Sequence, residues 1–95
     1  MEVITKDALK QFIESKADIA LIDVREPYEF AEGNIQTSVN IPLTKVPQYL
    51  ESVPKEKKLV FYCRTGERSG RAAQFAESRG YNAANYKGSY LDWIS

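Results

Sequence analysis

The stretch LVFYCRTGERSGRAAQFAESRG holds the only cysteine of the chain, Cys63, together with Arg64, Arg68 and Arg71, in a protein that has no histidine. A lone cysteine is by default a small buried hydrophobe whose thiol does nothing. Here it stands where an apolar run ends and a helix-like segment begins. The six residues Cys63, Arg64, Thr65, Gly66, Glu67 and Arg68 must turn the chain before a helix that the pattern starts near Ser69. Gly66 permits that turn. A short loop wrapped ahead of a helix aims successive backbone N–H groups into one concavity, and the helix start adds partial positive charge. A sulfur at the centre is then held as an anion. A free thiol titrates near 8.5, and each unit of displacement is about 1.4 kcal/mol; thiolates at such positions are stabilised by one to several units.

The same loop states what the thiolate attacks. Arg64 and Arg68 against Glu67 leave a local charge of +1, and Arg71 raises it to +2, in a chain whose thirteen basic and thirteen acidic side chains cancel. A small oxyanion is implied. Without an imidazole base the nucleophile must already be ionised, and the leaving group must depart without a strong proton donor. The outer sulfur of thiosulfate meets both conditions, because sulfite leaves as an anion. The product is a cysteine persulfide whose terminal sulfur fits the ring of amides.

Positioning such a loop requires a sheet. DIALIDV reads as a strand buried on both faces, KKLVFYC as the clearest strand of the chain, and SVNIPL as a brief strand ended by Pro42. ITKDALKQFIESK puts Ala8, Leu9, Phe12 and Ile13 on one helical face, with Thr5 as N-cap and Ile4 stapled to Leu9. EPYEFAEG is a short helix with Pro27 just inside and Gly33 just beyond. TKVPQYLESV starts near Thr44, so that Pro47 falls in the first turn. The helix after the loop packs Ala72, Phe75 and Ala76 inward and closes at Gly80. YNAANYKGSYLDWIS gives a last strand, a Gly-Ser turn and a terminal helix. Tyr28, Phe30, Phe61, Phe75 and Trp93 are expected in the core, and residues 54–58, PKEKK, in a solvated turn.

This alternation predicts a single α/β domain over residues 1–95, a small, mostly parallel sheet with helices on both faces. Ligands then bind beyond the carboxyl ends of the strands, where Cys63 sits. With a net charge of zero and no run of 18 apolar residues, neither nucleic acid nor membrane is an expected partner. One thiol without histidine does not make a metal site, and no cofactor is implied. The charged first twenty residues exclude a signal peptide, so the expected location is the cytoplasm, where a free thiol stays reduced.

The blocks LIDVREPYEFAEGNI, NIPL, YCRTGERS and NYKGSYLDW occur in the order and spacing of a single-domain rhodanese, a thiosulfate sulfurtransferase-like family, and the chain resembles it over nearly its whole length. The resemblance implies a rhodanese-like fold and a sulfurtransferase that moves sulfane sulfur from thiosulfate or a persulfide donor to a thiol or cyanide, a protein thiol included. It casts Cys63 as the sulfur-accepting nucleophile, Arg64, Thr65, Gly66, Glu67, Arg68 and Ser69 as the substrate cradle, and Asp23 and Arg25 as supports. Where many relatives read Gly-His-Ile and Pro-Gly-Ala, this chain has Gly33-Asn34-Ile35 and Gln36-Thr37-Ser38, and where they have Gly-Gly it has Gly88-Ser89. These departures concern the pocket rim and the acceptor. Two other classes stay open: a non-catalytic rhodanese-like module that binds a partner or senses oxidation through Cys63, and a cysteine-dependent phosphatase. Phosphatase loops run Cys-x5-Arg, whereas Cys63 to Arg68 is Cys-x4-Arg.

Overall fold

The computed structural model describes residues 1–95. Five strands, β1 (Glu2–Ile4), β2 (Ile19–Asp23), β3 (Val39–Asn40), β4 (Lys58–Tyr62) and β5 (Asn82–Tyr86), form one parallel sheet in the order β1-β5-β4-β2-β3. The helices are α1 (Lys6–Glu14), α2 (Pro27–Glu32), α3 (Val46–Leu50, preceded by a 3-10 turn over Leu43–Lys45), α4 (Glu67–Ser78) and α5 (Ser89–Trp93). None is long and apolar enough to cross a membrane.

Successive side chains of a strand point to opposite faces, and the central strands are apolar on both. Ile22, Leu59, Phe61 and Ala83 pack with Ala72, Ala73 and Ala76 of α4 and with Val46 and Leu50 of α3. Leu21, Val60, Tyr62, Ala84 and Tyr86 pack on the other face with Ile4 and Leu9, and Trp93 of α5 lies against that cluster. The buried alanines of α4 let the helix approach the sheet closely. The chain leaves β2 toward the β3 edge and leaves β4 toward β5, so the connections diverge between the two central strands. That is the switch point at which ligands of open parallel sheets bind.

Several local expectations are met. The Thr5 side chain accepts from the Ala8 N–H at 3.2 Å, Pro27 opens α2 with Gly33 at its end, and Pro47 lies in the first turn of α3. Others are corrected. The strand β1 is absent from the sequence pattern, because three residues with only Ile4 buried carry no alternation to read; Ile4 closes that strand and shares a cluster with Leu9. α4 starts at Glu67, two residues before the expected Ser69, because Gly66 reverses the chain in one left-handed step (φ 101°). The core aromatics also differ: Phe61 is fully buried, Phe30, Phe75 and Trp93 only in part, and Tyr28 is 68% exposed because the short α2 buries no residue. Tyr62, Tyr81 and Tyr86 are buried beside Phe61. Lys58, shared by the expected turn PKEKK and the expected strand KKLVFYC, begins β4.

The Tyr62 hydroxyl accepts from the Ile35 N–H at 3.0 Å and shares a hydrogen bond with the Ser38 hydroxyl at 2.9 Å, pinning the segment between α2 and β3. Removing it strands a buried N–H. Tyr62→Phe should therefore lower stability by about 1–3 kcal/mol, read as a lower urea midpoint with an unchanged m-value.

Candidate active site

β4 ends at Tyr62, and its next residue carries the thiol into the loop with 1% of its surface exposed. The Cys63 sulfur accepts from the Gly66 N–H at 3.1 Å, the Ser69 N–H at 3.4 Å and the Ser69 hydroxyl at 3.4 Å. Burial pushes the thiol up. The Ser69 hydroxyl and the N–H groups of Ser69, Gly66 and Thr65 outweigh burial, so that it lies below its ordinary value. Hydrogen bonds to the charged form favour that form; the Ser69 hydroxyl is the foremost of them here and the rest are main-chain N–H groups. They exist because Gly66 adopts a conformation that side chains rarely take, and a Cβ there would collide with the Lys87 carbonyl oxygen. From β5, the Asn85 side-chain amide donates to the Gly66 carbonyl at 3.3 Å and fixes the turn from below.

The backbone around the sulfur is gripped from α5. The Tyr90 N–H donates to the Cys63 carbonyl at 2.9 Å, and the Leu91 N–H to the Arg64 carbonyl at 3.2 Å. Tyr90 is held in turn by Arg25, whose guanidinium carbon lies 4.4 Å from the ring centroid. Arg25 forms a buried ion pair with Asp23: Nε donates to both carboxylate oxygens at 3.0 Å and one terminal nitrogen to Oδ2 at 2.7 Å. That nitrogen also donates to the Gly33 carbonyl at 2.7 Å. A Cβ on Gly33 would strike the Tyr90 hydroxyl, so glycine is what lets the ring seat. Asp23 and Arg25 thus make no hydrogen bond to the sulfur, and Arg25 lies against Tyr90 and, at 5.8 Å, against the ring of Tyr62.

The cradle residues do not all converge on it. Ser69 and Gly66 are buried against the thiol, whereas Arg64, Thr65 and Glu67 are exposed side chains, Glu67 already in the first turn of α4. Arg64 and Arg71 enter no ion pair. Arg68 does: it is bidentate to Glu29 of α2, at 2.8 and 3.1 Å. Its proton is held chiefly by Glu29, with a smaller contribution from the charge of Cys63. Glu29 has no signature in the sequence because its partner lies 39 positions away. Asn85 was legible in principle, as a polar residue inside a short buried strand next to the site. The largest surface cavity, about 340 Å³, is elsewhere: Lys55, Phe75, Arg79 and Tyr81 line it beyond the opposite ends of β4 and β5. It contains no cysteine.

The fold is thus a parallel α/β sheet with a single buried, amide-cradled cysteine at its switch point. The rhodanese-like domain model matches residues 5–95, and the chain belongs to that family. It is 32% identical over 91 residues to a sulfurtransferase of Allochromatium vinosum, covering 95% of this chain and 85% of that protein. It is 35% identical over 89 residues to the human thiosulfate:glutathione sulfurtransferase, covering 78% and 77%. The solved structure of a human single-domain sulfurtransferase superposes with a TM-score of 0.91 at 31% identity, covering 99% of this chain and 96% of that one. The chain is a sulfurtransferase of the rhodanese class.

These contacts can be probed one at a time. Ser69→Ala removes one donor to the sulfur and should slow iodoacetamide alkylation of Cys63 at neutral pH by about tenfold, since hydrogen bonds to charged groups contribute about 1.5–3 kcal/mol; the midpoint of the pH profile should move upward. Glu29 is held by the Arg68 hydrogen bonds at about 2, down from 4.5. Its folded value is depressed, so its contribution is fully present above pH 4.5 and is lost as pH falls through 2. Glu29→Gln should abolish that segment of the acid titration of stability, about 1 kcal/mol for a pair this near solvent, measured as urea midpoints across that range.

Proposed function

We propose that the chain carries sulfane sulfur from thiosulfate, or a persulfide donor, to a thiol acceptor through a persulfide on Cys63. The observation that carries this reading is the sulfur of Cys63 receiving the Gly66 N–H, the Ser69 N–H and the Ser69 hydroxyl at a strand-to-helix turn. The thiolate attacks the outer sulfur of thiosulfate, a new S–S bond forms, and the old one breaks with its electron pair leaving on sulfite. An acceptor thiolate then attacks the outer sulfur of the Cys63 persulfide. The acceptor departs as its own persulfide, and Cys63 returns as a thiolate. No proton is transferred at sulfur in either half, which suits a site without histidine. Cyanide can replace the thiol as acceptor.

The relatives' names support thiosulfate as donor and a low-molecular-mass thiol such as glutathione as acceptor; a protein thiol obeys the same chemistry. Arg64, exposed at the mouth, is available to the anionic donor, whereas Arg68 reaches it by sharing its guanidinium with Glu29. Thr65 contributes its N–H to the cradle and Glu67 lies on the rim. Asp23 and Arg25 act as supports through Tyr90. With one cysteine, no second internal thiol can discharge the persulfide. A thiol that must stay unoxidised to accept the next sulfur fits the cytoplasm.

After incubation with thiosulfate and removal of excess donor, intact-mass analysis should show one added sulfur, discharged by cyanide or glutathione. Cys63→Ser should retain the far-ultraviolet spectrum and thermal midpoint of a folded domain but lose thiosulfate:cyanide transfer by at least about 10³-fold, the scale of losing an essential nucleophile. Retained transfer in this variant would refute the assignment. Cysteine-dependent hydrolysis of para-nitrophenyl phosphate by the native protein would instead favour the phosphatase chemistry.

A further inference from the structure

Ser89 is the first residue of α5, is fully buried, and has φ 59°, in the left-handed region that disfavours residues with a side chain. Glycine would occupy this place without strain. What the strained serine supplies is its hydroxyl. Ser89 Oγ accepts the Cys63 N–H at 3.1 Å and donates to the Tyr86 carbonyl at 2.8 Å.

These two bonds lie where the sheet comes apart. β4 and β5 remain in register through Phe61 and Asn85; beyond that pair Cys63 must leave the sheet toward Gly66 while β5 runs on to Tyr86. At that fork the Cys63 N–H and the Tyr86 carbonyl are bridged by a single hydroxyl that accepts from one and donates to the other. The hydroxyl is spliced into the ladder as a spacer. It keeps the nucleophile's own N–H satisfied in a buried place while holding the strand ends apart. Its oxygen is 4.0 Å from the Cys63 sulfur, against 3.4 Å for the Ser69 hydroxyl. Since its one proton is engaged at 2.8 Å by the Tyr86 carbonyl, Ser89 acts on the sulfur through the Cys63 backbone.

We propose that Ser89 is a positioning residue of the sulfur-transfer site, its hydroxyl spacer setting the height of Cys63 relative to the Gly66 and Ser69 N–H groups. Closure of the fork, or replacement of the hydroxyl by mobile water, shifts the sulfur within a cradle that is otherwise intact. The proposal rests on the sulfurtransferase reading for its consequence in turnover, but its test needs only the thiolate.

The test compares native protein with Ser89→Gly and Ser89→Ala, following the pH dependence of iodoacetamide alkylation together with the thermal midpoint. Glycine removes the hydroxyl and the strain; alanine removes the hydroxyl and keeps the strain. Both variants should alkylate about threefold or more slowly at neutral pH, as expected when the thiolate fraction falls, with the profile displaced upward, and the glycine variant should be the more stable of the two. A reactivity loss that is equal in the two variants while their thermal midpoints differ separates positioning from stability. Profiles in both variants that superpose on the native one would overturn the proposal, as would a loss confined to whichever variant is less stable. Failure of the native protein to take sulfur from thiosulfate would sink the sulfur-transfer reading and leave this comparison intact.

Discussion

A thiol almost removed from water, yet held below its ordinary pKa, is the condition around which this domain is arranged. Cys63 is 1% exposed, and no cationic side chain hydrogen-bonds to its sulfur; Arg68 is committed to Glu29. Dehydration alone favours the neutral thiol. The compensation comes from dipoles, the N–H groups of Thr65, Gly66 and Ser69 and one hydroxyl. Dipoles act only at short range and in the right direction. The position of the sulfur relative to the chain from Thr65 to Ser69 therefore has to be fixed tightly, and most of the polar structure at this end of the sheet serves that end.

The fixing is done from three sides by groups that do not touch the sulfur. Asn85 holds the Gly66 carbonyl from β5, the start of α5 holds the carbonyls of Cys63 and Arg64, and the buried Asp23–Arg25 pair seats Tyr90. A buried ion pair is weak support for stability, because desolvation offsets its attraction. Here the pair acts through geometry, since the Arg25 guanidinium lies over an aromatic ring while one of its nitrogens also reaches the Gly33 carbonyl. The small side chains of α4 and the glycine at position 33 serve the same close packing.

How much of this could be read from the sequence depended on range. The apolar runs ending at Asp23 and Tyr62, Pro27 opening α2 and Gly66 before α4 are local signals, and they are enough for the parallel α/β fold and the loop that bears Cys63. The three-residue β1 was illegible because it takes its identity from pairing with β5. Tyr28 departs from its expected place for a related reason: aromatic character says nothing about whether a six-residue helix has a face to bury. At the site, Cys63, Gly66 and Ser69 were visible as loop chemistry. The Glu29–Arg68 pair and the reach of Ser89 to the Cys63 N–H were not, since they join positions 39 and 26 residues apart; Asn85 stood out only as a polar residue in a buried strand, while its contact with Gly66 spans 19 positions.

The cradle being mostly main chain has a consequence for how such a domain diversifies. Arg64, Thr65 and Glu67 contribute backbone to the ring or its path, while their side chains project outward. Backbone and side chain of the same residues therefore have separable surroundings. The outward groups can be exchanged without disturbing the donors to the sulfur; the positions closed to such exchange are Gly66, which has no room for a side chain, and Ser69, which lends its own.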